Sequence, residues 1–374
     1  MRPRPNPAGF KSFVGVDLHK CTVTLFAVDP NGEKIAMLKI STKSVEKIDD
    51  WLKQLPRPCW VAVETCPFVE WFIDRYRGLV EQFDIADATT LARLRGKRRK
   101  TDFNDAQDIA KRLARGECPL GYIADPQVAQ LRKLGRHWRQ LSRLLSRTKH
   151  AMKSMLNAAN LHGPKFDAAG AHRWILAFGD RLQPVQHEAF CNYLDVISLV
   201  ERQREKLRRQ IVFAPRSESF RKTELILQTT PGIGDIWSLM IAAEIGPFDR
   251  FPNADTLEFW AGMTADLKES AGRTQSGNIT KAGSTTLRWA ICQAAITLCL
   301  SDPDKEKIRQ RYIRRLGKPK ANVAMGRRLL RTLYAMIRDQ KPYRRAKSSH
   351  REAAANAAKA QRKAKQPTKP EKAA

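Results

Sequence analysis

The sequence predicts an α/β unit followed by a long region built of helices. Up to about Gly121, short apolar runs alternate with turn residues and with helical spacing, which is typical of mixed α/β structure. From Gln127 onward, apolar residues recur at steps of three and four, which indicates helices. A chain of 374 residues is long enough for two or three domains, each with its own core.

The α/β unit is predicted to begin with three strands. Phe13–Asp17 is an apolar run, and Cys21–Val28 alternates in polarity. A turn at Asp29–Gly32 then leads into Lys34–Ile40. We therefore expect three antiparallel strands at the start of the chain.

Helices and strands then alternate. Helical spacing predicts helices over Val45–Leu55 and Phe68–Gly78, while Trp60–Glu64 and Asp84–Asp87 are predicted as strands. Three antiparallel strands, a helix, a strand, a helix and a strand is the element order of an RNase H-like fold. In that fold the first and fourth strands are neighbours at the centre of the sheet.

Four acidic residues stand at the ends of predicted elements. Asp17 and Glu64 each end a strand, while Asp102 and Asp105 share one face of a helix predicted over Thr101–Arg115. Taken singly, each is better explained as a strand-end or helix-cap residue. Taken together they favour a metal site, because converging carboxylates are costly unless a cation lies between them. A pair of hard divalent ions and phosphodiester chemistry follow from that donor set.

The charge of the chain indicates a polyanionic partner. Lys and Arg total 68 against 38 Asp and Glu, for a formal net charge of +30. Such an excess attracts nucleic acid, with affinity driven largely by counterion release. A ribosome-associated or membrane-surface protein could carry the same excess, so charge alone names no reaction.

Cysteine usage and hydropathy predict a cytoplasmic protein. The seven cysteines form no CxxC pair and have no His partners at zinc spacing, which indicates reduced thiols. No signal peptide is visible, and the longest apolar run, Trp289–Leu300, is too short to span a bilayer. We expect that run to be a buried helix, and we expect no membrane partner.

The middle of the chain, residues 125–222, is predicted to hold two long helices. Apolar positions recur from Leu131 to Met155 and again from Phe190 to Ile211, with a loop around Leu161–Pro164 between them. An antiparallel hairpin within the chain and a coiled coil between subunits explain this pattern equally well. Residues 223–340 form a further predicted domain, and residues 341–374 are predicted to be a disordered basic tail.

Two segments carry features that favour contact with phosphate groups. Arg93–Lys100 is predicted to be a basic loop. The turn Pro231–Gly234 between two helices predicts a helix-hairpin-helix, in which glycines let backbone N–H groups approach a phosphate. An ordinary glycine-rich connection is the alternative for that turn.

A stretch rich in Gly, Ser and Thr spans residues 262–283 and is predicted to be a long polar loop that is either functional or simply flexible. A serine here could be a nucleophile if a base or metal activates its hydroxyl. Composition does not choose among Ser270, Ser276 and Ser284. The candidate nucleic-acid contacts of the whole chain are Arg95, Lys97, Arg98, Arg99, Lys100, Gly232, Gly234, Arg273, Lys281 and Arg288.

A set of motifs, in one order along the chain, resembles a known family. The motifs are Val14–Lys20, Glu64, Lys100–Ala106, the Pro-Gly-Ile-Gly turn, and Gly277–Gly283 with Leu287 and Arg288. Together they resemble the DEDD transposase/recombinase family of bacterial insertion sequences, in the IS-one-ten and IS-eleven-eleven groups, which also include the Piv-type DNA invertase. The chain departs from the family pattern at Ala265, Ala271 and Cys66, which bears on the exact serine.

The resemblance implies a domain organisation and a set of catalytic residues. It implies a RuvC-like catalytic domain over residues 12–124, a coiled-coil region over 125–222, and a C-terminal transposase domain with a helix-hairpin-helix over 223–340. It implies two Mg²⁺ ions, replaceable by Mn²⁺, held by the four carboxylates. A serine that forms a covalent phosphoserine link to DNA is implied at Ser270.

The resemblance also implies partners. These are donor and target DNA, a structured non-coding bridge RNA, and further copies of the chain in a dimer or tetramer, in which the acidic site of one subunit meets the serine of another. We therefore expect a transposase or site-specific DNA recombinase. The alternative is a RuvC-like, Mg²⁺-dependent nuclease that resolves branched DNA by hydrolysis. A non-catalytic binder is disfavoured, because clustered negative charge weakens the binding of polyanions.

Overall fold

The computed structural model describes residues 6–95, 101–270 and 273–345, without the side chains of Arg95, 266–270 and 273–277. The chain divides into two compact units, with the division between Ala124 and Asp125. The first unit is α/β, and the described part of the second is helical apart from one β-hairpin. The predicted combination of an α/β N-terminal region with a helical C-terminal region is therefore confirmed.

A mixed five-stranded sheet forms the centre of the first unit. Its strands are β1 (Ser12–Leu18), β2 (Thr22–Val28), β3 (Lys34–Ser41), β4 (Cys59–Glu64) and β5 (Gln82–Ala86). Their order is β3-β2-β1-β4-β5, with antiparallel pairing among β1, β2 and β3 and parallel pairing of β4 with β1 and β5. The predicted adjacency of the first and fourth strands is confirmed.

The helices of the first unit lie near their predicted positions. They are α1 (Val45–Lys53), α2 (Val69–Tyr76), α3 (Ala88–Arg95) and α4 (Asp102–Ala114). The predicted basic loop over Arg93–Lys100 is wrong at its start, because Arg93 to Arg95 complete the last turn of α3. The residues that follow in that segment, Lys97, Arg98, Arg99 and Lys100, lie outside the described residues.

The two faces of the sheet bury different helices. Val14 and Val16 of β1 belong to one core cluster with α1 and α2, whereas Phe13 belongs to another with Ile109 and Leu113 of α4. Side chains alternate between the faces of a strand, so Asp17 is directed to the same face as Phe13. The sheet therefore presents Asp17 toward α4.

The helices of the second unit account for most of its residues. They are α5 (Pro126–Ala158), α6 (Ala168–Phe178), α7 (Pro184–Phe213), α8 (Glu218–Gln228), α9 (Asp235–Ile245), α10 (Ala254–Trp260), α11 (Thr285–Ser301), α12 (Pro303–Leu316) and α13 (Lys318–Arg338). The predicted buried run Trp289–Leu300 lies within α11 and supplies core residues such as Ile291 and Leu298.

The two long helices α5 and α7 pack against each other within the chain. Lys149 Nζ lies 2.8 Å from Glu201 Oε1, and the Arg204 guanidinium lies 4.6 Å from the Trp138 ring centroid. The earlier residue of α5 faces the later residue of α7, which makes the pair antiparallel. Of the two alternatives left open by the sequence, the structure shows the intrachain hairpin. Helix α6, between them, was not predicted.

The N-terminal half of α5 joins the core of the C-terminal helices. Leu131 and Trp138 of α5 and Ile211 of α7 belong to the same cluster as Leu239 of α9 and Leu330 of α13. A separate cluster, with Met152 of α5 and Phe190 of α7, lies at the other end of the pair. The assignment of residues 125–222 and 223–340 to separate domains stays a prediction.

Two further expectations are corrected. The stretch predicted as a polar loop forms an antiparallel hairpin of β6 (Ala265–Ser270) and β7 (Arg273–Ile279). The predicted tail starts too early, because the Tyr343 backbone N–H donates to Thr229 Oγ1 at 2.8 Å and its ring packs on the core. Residues 346–374 lie outside the described residues. Of the described helices, none combines the length and the hydropathy needed to cross a bilayer.

A candidate metal centre and the serine hairpin

The ends of two parallel strands place Asp17 and Glu64 next to each other. Val16 of β1 is paired with Val63 of β4, and each acidic residue follows directly. Asp17 is 8% exposed and Glu64 is partly buried. Their adjacency is thus a consequence of strand register, as the sequence predicted.

A glycine brings helix α4 close to this strand end. A Cβ atom on Gly15 would lie 2.0 Å from the Ala106 carbonyl oxygen and 2.6 Å from the Ala110 nitrogen. Only glycine allows this approach of helix backbone to strand backbone. The sequence gives no local reason for this glycine, because the contact is made by a helix some 90 residues later.

The first turn of α4 carries the other two carboxylates. Thr101 caps the helix by accepting a hydrogen bond from the Asn104 N–H at 3.2 Å, so the helix starts at Asp102. Asp105 is 5% exposed, and Asp102 is partly exposed. Acidic residues are favoured in a first turn by the helix dipole, and here that turn also lies beside Asp17.

Two basic side chains that the sequence did not single out lie within the acidic group. His19 Nε2 is 3.2 Å from Asp17 Oδ2 and 3.5 Å from Asp102 Oδ1, and Lys39 Nζ is 3.0 Å from Asp102 Oδ2. The strand register explains the position of Lys39. Asp17 of β1 pairs with Thr24 of β2, and Thr24 pairs in turn with Lys39 of β3. The only earlier signal for His19 was its place two residues after Asp17.

The negative charges of the other three carboxylates act on Asp17. Burial raises the pKa of Asp17, and the negative charges of Asp102, Asp105 and Glu64 raise it further, against the opposing effect of His19. The pKa of Asp102 is lowered, chiefly by its hydrogen bond from Lys39. An excess of negative charge therefore remains around Asp17.

The donor set fits a divalent cation. Asp17, His19 and Asp102 each offer one ligand atom, and these atoms lie within 4.8 Å of one another. Beside them, the hydroxyl oxygen of Thr24 is buried and has no hydrogen-bond partner among the residues that the structure describes. Oxygen-rich donors of this kind suit Mg²⁺ or Mn²⁺.

The serine candidates occupy different positions in the second unit. Ser270 ends β6 and is paired with Arg273, while Ser276 lies within β7 opposite Leu267. Ser284 caps α11, and its hydroxyl accepts a hydrogen bond from the Leu287 N–H at 3.1 Å. Ser284 thus has a structural role, whereas Ser270 lies at the turn end of the hairpin.

The base of the hairpin is tightly held. The Arg288 guanidinium donates to the carbonyl oxygens of Ala261 at 3.1 Å and Gly283 at 3.0 Å. Gly283 has φ +78°, and a Cβ there would lie 2.1 Å from the Trp260 carbonyl oxygen. Arg288, a candidate nucleic-acid contact, therefore also holds the hairpin base, while Lys281 beside it is exposed.

The glycines of the predicted helix-hairpin-helix turn differ in their surroundings. Gly232 has φ +90°, and a Cβ there would lie 2.8 Å from Thr297 Cβ of α11, so it serves close packing. Gly234 has open space around it and precedes α9. Asp235, the first residue of α9, forms an ion pair with Arg208, which places a carboxylate at this helix start. Of Arg95 and Arg273, only the backbone is described.

Comparisons with known proteins agree with this arrangement. Residues 14–160, which contain the four carboxylates, match the IS110-type DEDD transposase family, described as "Transposase". Residues 224–312, which contain the hairpin, match the family described as "Transposase IS116/IS110/IS902 family". A Pseudomonas aeruginosa protein named "Probable family 20 transposase" is 24% identical over 348 residues, which cover 89% of this chain and 98% of its own. On these grounds the chain belongs to the IS110 family of DEDD transposases and is a DNA transposase enzyme.

Proposed function

We propose that this transposase is a site-specific recombinase that cuts and rejoins DNA strands through a covalent phosphoserine at Ser270. The observation that carries the proposal is the convergence of Glu64, Asp102 and Asp105 on Asp17 in a protein of net charge +30. In a protein that only bound DNA, such a cluster of negative charges would weaken the binding. The strand order of the first unit is that expected of an RNase H or RuvC-like nuclease domain, which supports the same reading.

Asp17, Glu64, Asp102 and Asp105 would hold Mg²⁺, as two ions, with Mn²⁺ as a substitute. When bound, the cations stabilise the charge that develops on phosphodiester oxygens. The remaining tasks fall to the protein. Gly15 keeps α4 against β1, so the carboxylates stay together, and Lys39 favours the charged form of Asp102 by lowering its pKa.

The serine supplies the bond that conserves energy. The hydroxyl of Ser270 loses its proton as its Oγ forms a bond to phosphorus, while the bond from phosphorus to the leaving deoxyribose oxygen breaks and that oxygen takes up a proton. Attack by a second deoxyribose hydroxyl reverses the exchange and releases the serine, so rejoining needs no ATP. Arg273, paired with Ser270 in the hairpin, is the neighbouring cation for the phosphate.

The partners follow from charge and family. We propose donor and target DNA as substrates in the bacterial cytoplasm, guided by a structured bridge RNA, since a net charge of +30 suits two nucleic acids at once. We further propose a homo-oligomer, a dimer or tetramer, in which the acidic site of one subunit acts with Ser270 of another. The exposed Lys281 and Gly234, together with Arg95 and the basic residues 97–100, are proposed as backbone contacts.

The test compares two serines of the same hairpin. Each protein variant is incubated with labelled target DNA, donor DNA, bridge RNA and Mg²⁺. The products are run on a denaturing gel, which separates protein-bound DNA from free DNA. Ser270→Ala is expected to abolish the covalent adduct, whereas Ser276→Ala retains it. Adducts that persist in Ser270→Ala would place the nucleophile elsewhere. DNA cleavage without adducts, unaffected by either change, would instead establish a hydrolytic nuclease.

A further inference from the structure

A basic cavity lies in the second unit between α5 and the start of α11. It has a volume of about 450 Å³ and is lined by Arg136, Arg139, Gln140, Arg143, Gly283, Ser284, Thr285 and Thr286. The arginines come from successive turns of α5, and the hydroxyl residues come from the cap and first turn of α11. No acidic side chain is among these lining residues.

The positive charge of the cavity is only partly neutralised. Arg136 forms a two-point ion pair with the buried Glu244, at 2.8 and 3.0 Å. Within the part of the chain that the structure describes, neither Arg139 nor Arg143 has a carboxylate within ion-pair distance. Burial lowers the pKa of Arg139, and the charges of Arg143 and Arg288 lower it further. The positive charges of Arg139 and Arg143 thus repel each other, and a bound anion would reduce that repulsion.

The cavity is preorganised by contacts beneath it. Arg139 Nη1 donates to Thr285 Oγ1 at 2.8 Å and to Thr286 Oγ1 at 3.3 Å. Its guanidinium lies 5.6 Å from the Trp289 ring centroid, so the aromatic ring supports it from below. Planar guanidinium groups beside hydroxyls and a helix N-terminus match the oxygens of a phosphate.

We infer that this cavity binds a backbone phosphate of the DNA strand that flanks the cleavage point. The inference rests on the proposed function, because Gly283 and Ser284 continue directly from the hairpin that carries Ser270. From Ile279 to Arg273 the strand rises about 3.3 Å per residue, which puts the turn end about 20 Å from the hairpin base. The cavity therefore holds a different phosphate from the one that Ser270 attacks. It fixes the register of the strand.

The test removes one exposed arginine and compares it with a matched neighbour. Arg143 lines the cavity, and Arg147, one turn later on α5, is also exposed but does not line it. Arg143→Gln and Arg147→Gln are made in a Ser270→Ala background, so that binding stays reversible. Binding of a fluorescein-labelled DNA duplex is measured by anisotropy between about 50 and 200 mM salt.

The expected result is specific to the cavity. Arg143→Gln is expected to remove one phosphate contact. The slope of log K against log salt concentration should then decrease in magnitude by about 0.9, and DNA binding at 0.1 M salt should weaken about eightfold. Arg147→Gln, which removes the same charge, leaves the slope unchanged. Equal effects of the two variants would overturn the inference, because only the general field would then matter. Loss confined to a parallel measurement with single-stranded RNA would overturn the assignment to DNA.

The outcome is separable from the proposed function. Adduct formation is measured independently on variants that keep Ser270. If the parent protein forms no adduct but Arg143→Gln alone lowers the salt slope, the proposed phosphoserine chemistry is refuted and the phosphate site is supported. If adducts form and the two arginine variants bind DNA alike, the phosphate site is refuted and the phosphoserine chemistry is supported.

Discussion

The contact between Gly15 and α4 allows a quantitative prediction. In Gly15→Ala, the new Cβ would lie 2.0 Å from the Ala106 carbonyl oxygen, whereas ordinary contact begins at 3.4 Å. Helix α4 must therefore move away from β1 by about 1.4 Å, and the obstructing atoms are backbone that cannot rotate aside. Overpacking of this kind costs about 1–3 kcal/mol, and we expect the upper end of that range.

The same shift should weaken the metal centre, because α4 carries Asp102 and Asp105. We expect Gly15→Ala to lower the free energy of unfolding in urea, followed by tryptophan fluorescence, and to reduce the rise in melting temperature on adding Mg²⁺. Gly78→Ala is the matched control, since nothing lies within 4 Å of a Cβ at that position. It should change stability by less than about 1 kcal/mol. Unchanged stability and Mg²⁺ response in Gly15→Ala would refute the role assigned to this contact.

Two further predictions concern buried carboxylates. The pKa of Asp17 is raised by burial above its ordinary 3.8, so its ionised form destabilises the metal-free fold at neutral pH, and the penalty disappears as the pH falls toward that value. Asp17→Asn should therefore melt higher than the parent protein in EDTA at pH 7, with the difference shrinking in melts at lower pH; a lower melting temperature would contradict this. Glu258 is 0% exposed and forms ion pairs with both Arg327 and Arg331. Glu258→Ala should therefore lower the free energy of unfolding in urea by about 3–5 kcal/mol. The control Glu218→Ala, at an exposed position, should lower it by less than about 0.5 kcal/mol. Similar costs for the two would disprove a structural role for that ion-pair cluster.

The alternation of apolar and polar residues made the sheet of the first unit predictable. Each strand has its own local pattern, and the order of helices and strands limits how parallel strands can be joined. Asp17 and Glu64 could be placed together on those grounds alone. Asp102 and Asp105 could be placed on one helix face by their spacing, and the matched family covers all four.

The hairpin of the second unit was missed for a physical reason. Its two strands, β6 and β7, are mainly polar and contain only Leu267 and Ile279 as large apolar residues, so they lack the apolar alternation that predicts a strand. Their pairing rests on backbone hydrogen bonds between the two segments. The same limit applies to Arg288, whose charge suggested a phosphate contact. Its donation to the Ala261 and Gly283 carbonyls depends on a fold that composition does not encode locally.

Local periodicity and the order of the motifs were enough to predict the α/β class of the first unit, its strand neighbours, the four carboxylates and the resemblance to the family. Tertiary packing was needed to bring His19 and Lys39 to the carboxylates, to place α4 against Gly15, and to pair α5 with α7 within the chain. It also brought Arg139 and Arg143 to the start of α11. Each of these is a contact between distant segments, whose distance and register arise only once the chain is packed.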